Sequence, residues 1–164
     1  MNKSDLAVHG FTGFVPVSRL RESLNQVPPS KGVYAVLRRV EAAPSFLQTS
    51  EGGWFKRKNP TVDVSRLEAK WVTNTEVLYY GKAKNLQERI GALLRFGRGD
   101  PVGHRGGRFL WQAQDSADFL IGWKPTPGQE PFGVECELME EFKGTFGSWP
   151  FANIQAPRKR LGGS

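Results

Sequence analysis

Two tyrosines, an arginine and a glutamate carry the chemistry this chain offers. Tyr34 ends Gly32-Val33-Tyr34, Tyr79 opens Tyr79-Tyr80-Gly81-Lys82, Arg89 follows Gly81 at G-x7-R spacing, and Glu135 lies far downstream. Both tyrosines fall in short β-like runs, which would hold their hydroxyls rigidly beside one arginine and one carboxylate. That set suits the cutting of a phosphodiester, which needs an activated water, positive charge facing a pentavalent transition state, and help for the leaving oxygen. A tyrosine has a reference pKa near 10, so acting as a base at neutral pH requires a cation close by. Lys82 is placed in the sequence to supply one. Arg89, always charged, can clamp phosphate oxygens in two directions, or it can pair with Glu88 on a solvated helix face.

The elements that must position these residues are readable from periodicity. Residues 32–37 and 77–80 are rich in strand formers and are expected to pair, with Val33 and Tyr80 pointing to the sheet face opposite Tyr34 and Tyr79. Residues 85–96 place Leu86, Ile90, Leu93 and Leu94 on one helical stripe with Arg89 near its edge. A third strand is expected at 118–124 and a last helix at 130–146. Ser18 reads as the N-cap of a first helix carrying Leu20, Leu24 and Val27, which must stop before Pro28-Pro29. The order helix, strand, strand, helix, strand, helix predicts an α+β domain with a small antiparallel sheet covered by helices. Residues 38–76 form an unusually long connection between the first two strands, within which Ser65-Arg66-Leu67-Glu68 has capping-box spacing for a short helix.

Taken together, these positions resemble the GIY-YIG nuclease superfamily, whose two signature tripeptides match Gly32-Val33-Tyr34 and Tyr79-Tyr80-Gly81 with valine and tyrosine at the central positions. The resemblance runs from Gly32 to Asn153 and is interrupted by the 38–76 insertion. It implies a three-stranded antiparallel sheet flanked by helices and a metal-dependent endonuclease that hydrolyses DNA, with Mg²⁺ or Mn²⁺ as cofactor. It further implies Tyr34 as the base toward the attacking water, Tyr79 as its paired tyrosine, and Glu135, in Val134-Glu135-Cys136-Glu137-Leu138-Met139, as the metal ligand. Glu135 near a helix start also suits a simple dipole-stabilising acid. Pro150-x-x-Asn153 resembles the family's closing motif, which gives Asn153, with Gly32 and Gly81, a structural role.

The chain departs from the family pattern in two places. The tripeptides usually lie closer together, and many members carry a histidine or tyrosine one turn after the arginine, where this chain has Leu93. His104, in Gly103-His104-Arg105-Gly106-Gly107-Arg108, is the candidate replacement, in a stretch whose glycines and arginines also suit phosphate binding. Lys56, Arg57 and Lys58, with Pro157-Arg158-Lys159-Arg160, read as further backbone contacts or as solvated charge.

Composition agrees with a polyanionic partner. Lysine and arginine number 23 against 16 acidic residues, a net charge of +7 over 164 residues, which favours nucleic acid, DNA first, over a membrane. Cys136 is the sole cysteine, which excludes an internal disulfide framework and a cysteine-built zinc site and suits a cytoplasmic location. The sequence contains no apolar run of membrane-spanning length. Two other readings keep the same fold: a nucleic-acid-binding module that does not cut, and a subunit of a repair or recombination complex.

Overall fold

The computed structural model describes residues 1–158, in the order α1 (Lys3–Val8), β1 (Thr12–Pro16), α2 (Val17–Leu20), β2 (Gly32–Leu37), α3 (Val64–Lys70), β3 (Val77–Ala83), α4 (Leu86–Gly97), β4 (Leu120–Pro125) and α5 (Pro131–Phe146). Short 3-10 turns at Phe55–Arg57, Arg105–Gln112 and Ser116–Asp118 join them. The architecture is α+β, with an antiparallel sheet ordered β1-β4-β2-β3. The sheet has four strands where three were expected. The extra strand, β1, escapes a reading by alternation because a bulge between Gly13 and Val15 breaks its register, with Gly13 at φ 88 and Phe14 at φ 56. Gly13 is required there: a Cβ would lie 2.5 Å from the Trp123 ring that covers it.

β2 lies between two neighbouring strands and under layers on both faces, so all six of its residues are buried and it reads as a continuous apolar run. Its alternation sends Tyr34 and Val36 into the core shared with α2, α4 and the insertion, and Val33, Ala35 and Leu37 into the core shared with α1 and α5. Tyr79 follows the first set and Tyr80 the second, where Tyr80 meets Phe142 edge-on at 6.5 Å.

The short amphipathic helix expected from Ser18 is a single turn, α2, with Pro16 as its N-cap. Beyond it, the Asn25 amide donates to Ser23 Oγ at 3.2 Å, a local bond that competes with continuing the helix. Leu20 and Val27 are nevertheless buried. α3 starts one residue before the expected capping box, with Asp63 at the N-cap and no side-chain capping bond. α4 is capped by Asn85, which accepts from the Glu88 amide at 3.1 Å, and α5 runs from Pro131 at its first turn to a left-handed Gly147. Asp118 belongs to a 3-10 turn, and β4 begins at Leu120.

Residues 38–76 lie between β2 and β3 and are knit into the core. Gln112, fully buried, donates to the Leu47 and Val62 carbonyls at 2.9 and 2.6 Å and accepts from the Val62 amide at 2.9 Å. Phe46 and Trp71 pack on Phe151 at 5.7 and 5.1 Å. Arg38, 7% exposed, pairs with Asp115 at 2.7 Å and lies over Trp71. A buried charge is tolerated here because its hydrogen bonds are made. No helix among the described residues is long and apolar enough to cross a membrane.

Candidate active site

β2 and β3 pair so that Tyr34 faces Gly81 and Val36 faces Tyr79. The Tyr34 ring lies directly over Gly81, where a Cβ would come within 2.2 Å of Tyr34 Cζ. Glycine is thus the seat of the tyrosine ring. Gly32 allows an equally close approach between β2 and β4, since its Cβ would meet the Lys124 carbonyl oxygen at 2.3 Å.

Tyr34 and Tyr79 stand on one face with ring centroids 6.1 Å apart, and the two phenols share a hydrogen bond. The Tyr34 hydroxyl also lies 2.7 Å from Nε2 of His104, whose side chain is 1% exposed. The three rings pack mutually, His104 lying 6.3 Å from Tyr34 and 6.0 Å from Tyr79, and the two tyrosines line a groove. Burial, then the neighbouring Tyr79, raises the Tyr34 pKa well above that of a free phenol; Arg89 opposes this and Glu135 adds to it. Lys82 was expected to supply a cation that favours the Tyr34 phenolate. Lys82 lies two places from Tyr80 on the α5 face, and its Nζ meets Glu135 Oε1 at 3.7 Å.

Glu135 projects from α5 with 6% exposure. Its pKa is raised by burial, with Lys82 and then Arg89 pulling the other way. Arg89, half-buried on the second turn of α4, donates from Nη1 to the Gly103 carbonyl at 2.6 Å. It thereby fastens the segment that carries His104.

Side chains from opposite faces of the sheet share one groove because β3 is an edge strand. Tyr79 reaches it from the α4 side and Lys82 from the α5 side, around the rim. The exposed backbone of that edge is partly covered by Asn153, whose side-chain amide pairs with Tyr80 as a strand would: the Tyr80 amide donates to Oδ1 and Nδ2 donates to the Tyr80 carbonyl, both at 2.9 Å.

The groove, of about 1120 Å³, brings together Tyr34, Tyr79, Lys82, Arg89, Glu135 and Asn153, with Lys56, Lys58, Arg105, Arg108 and Arg158 along its walls. Arg57, expected with its neighbours, is exposed and does not line it. Lys159 and Arg160 lie outside the described residues. The segment after Gly103 winds into 3-10 turns with His104 at the start, and the Arg105 Nη1 group donates to the Asn59 carbonyl at 3.1 Å, tying this wall to the insertion. Arg108 is drawn down to about 10 by burial and by the nearby Arg105 and Arg66 guanidinia. It stays charged at neutral pH in a spot where an anion relieves cation crowding. Phe55 and Phe132 also line the groove, and no periodicity or spacing singles them out in sequence.

A chain of hydroxyls ending on an imidazole, beside a guanidinium and a carboxylate–ammonium pair, can bind an anion and move a proton. Among the described residues no group of three or more His, Cys, Asp or Glu side chains is arranged to hold a metal ion. No protein-family model, curated protein or solved structure matches the chain.

Proposed function

We propose that the protein is a metal-dependent endonuclease of the GIY-YIG type, hydrolysing DNA phosphodiesters in the groove along β3. The observation that carries this reading is the convergence of Tyr34, Tyr79, Arg89 and Glu135, drawn from β2, β3, α4 and α5, on one basic groove. A scissile phosphate lies against Arg89, whose guanidinium offsets the charge that builds on the equatorial oxygens. The attacking water gives its proton to the phenol pair, and Tyr34 passes a proton on to His104 Nε2, 2.7 Å away. His104 thus fills, from the 3-10 segment, the place left by Leu93 on the helix. Lys82 holds Glu135 in place and balances its charge.

One carboxylate with waters and substrate oxygens is an ordinary ligand set for Mg²⁺ or Mn²⁺. The buried, groove-facing Glu135 fits a cation that arrives with its phosphate. When bound, that cation polarises the phosphate and lowers the pKa of a water.

The burial of Tyr34, with its high pKa, favours a second reading: a module that grips nucleic acid in the same groove without cutting. Cleavage of labelled single-stranded, duplex and branched DNA with Mg²⁺ or Mn²⁺ separates the two. Cutting by the wild type that is lost in folded Glu135→Ala and Arg89→Ala supports the nuclease. Binding of every substrate with cutting of none supports the module, and repair or recombination partners then become the place to look for activity.

A further inference from the structure

The tip of the insertion combines features that neither packing nor fold explains. Trp54 is 57% exposed, the one aromatic ring among the large exposed apolar side chains of the described residues. It is followed by Phe55, which lines the groove, and by Lys56, Arg57 and Lys58, with no carboxylate between Glu51 and Asp63. The backbone that presents them is strained: Lys56 and Arg57 are consecutive non-glycine residues at φ 53 and φ 60.

The tip is also anchored on both sides. Gly53, buried, donates its amide to the Phe96 carbonyl at 2.9 Å at the end of α4, packed so closely that a Cβ would lie 1.8 Å from the Asp100 carbonyl oxygen. The Ser50 amide donates to Thr61 Oγ1 at 2.9 Å across the base of the loop. Phe55 packs against Gly103, next to His104, and Lys56 Nζ lies 5.3 Å from the Phe55 ring centroid. The result is an anchored, cationic, aromatic projection in which Phe55, Lys56 and Lys58 line the groove and the exposed Trp54 adjoins them in sequence.

A flat ring held in water beside consecutive cations is the recognition chemistry of unpaired nucleotides, whose bases stack on aromatic side chains while lysine and arginine follow the phosphates. A paired duplex keeps its bases stacked internally and offers such a ring nothing to stack on. We infer that Trp54 is a base-stacking platform, and that the insertion selects nucleic acid with an unpaired nucleotide next to the phosphate in the groove. This rests on reading the groove as a nucleic-acid site.

The test is binding, with a chelator present so that cleavage does not intrude, of a single-stranded oligonucleotide carrying one 2-aminopurine and of the same sequence as a duplex. For Trp54→Ala, single-strand affinity is expected to fall between about 5-fold and 150-fold, the range seen when a base-stacking ring is truncated. Quenching of 2-aminopurine is lost, duplex affinity is unchanged, and Trp54→Phe restores single-strand binding. Unchanged single-strand affinity in Trp54→Ala, or an equal loss on both substrates, overturns the inference. If the wild type quenches 2-aminopurine in a Trp54-dependent way yet never cuts with Mg²⁺, this inference stands and the nuclease fails. If it cuts and Trp54→Ala binds single strands as well as the wild type, the nuclease stands and this inference fails.

Discussion

The Tyr34 hydroxyl meets His104 Nε2 at 2.7 Å although 70 residues separate them in sequence, and both side chains are almost wholly buried. Tyr34→Phe keeps the ring over Gly81 and removes this bond together with the one the two phenols share. It is expected to cost about 1–3 kcal/mol in stability, because a buried imidazole nitrogen loses its partner. Cleavage should fall by about 10²–10⁴-fold, the usual contribution of a positioned proton acceptor. Single-turnover rates alongside urea denaturation check both numbers, and an active Tyr34→Phe would remove the phenol from the mechanism.

Gly81→Ala places a methyl 2.2 Å from Tyr34 Cζ. The ring must tilt off its seat, which is expected to cost about 1–3 kcal/mol as an overpacked core. Because the tilt also moves the hydroxyl from His104, activity should fall far more than stability. Paired melting and cleavage curves show whether it does.

Burial raises the Glu135 pKa, so the fold favours the protonated acid. The folded state then binds more protons than the unfolded chain between the unfolded and folded pKa values. The sign follows: stability is greatest below that window and falls as pH rises through the folded value. Glu135→Gln escapes this loss. With metal chelated, the variant should melt above the wild type at neutral pH, and the difference should close as pH is lowered. Cleavage shows the opposite order, absent in Glu135→Gln and declining in the wild type as Glu135 protonates.

Gln112 makes three hydrogen bonds to the backbone of the insertion. Gln112→Leu fills similar space but strands buried amide and carbonyl groups at Leu47 and Val62, at about 1–3 kcal/mol for each group left unpaired. Hydrogen exchange should speed up between residues 46 and 63 while the β2–β3 amides keep their protection. Uniform loss of protection would mean that the insertion and sheet unfold as one unit.

Much of this arrangement was legible in the sequence where the signal was local. Period-2 alternation places Tyr34 and Tyr79 together and Val33 and Tyr80 on the other face, and the stripe of Leu86, Ile90, Leu93 and Leu94 marks α4 with Arg89 beside it. What escaped depends on tertiary context. β1 hides behind two positive-φ residues and a bulge, and α1 is set by an Asn2–Asp5 capping box too short to stand out. The partner of Lys82 could not be read because it depends on where α5 packs: Lys82 shares the face of Tyr80, and there it meets Glu135. Gln112 carries no pattern at all; its role exists only once the insertion folds back on it.

The most direct measurement is the single-turnover cleavage rate of a labelled oligonucleotide with Mg²⁺, for the wild type and for folded Arg89→Ala and Glu135→Ala. Cleavage by the wild type, abolished by chelator and by each substitution while binding persists, is the predicted result. Cleavage that survives both substitutions, or a wild type that binds DNA and leaves it intact with either Mg²⁺ or Mn²⁺, would contradict the assignment of a phosphodiester-cutting site to this groove.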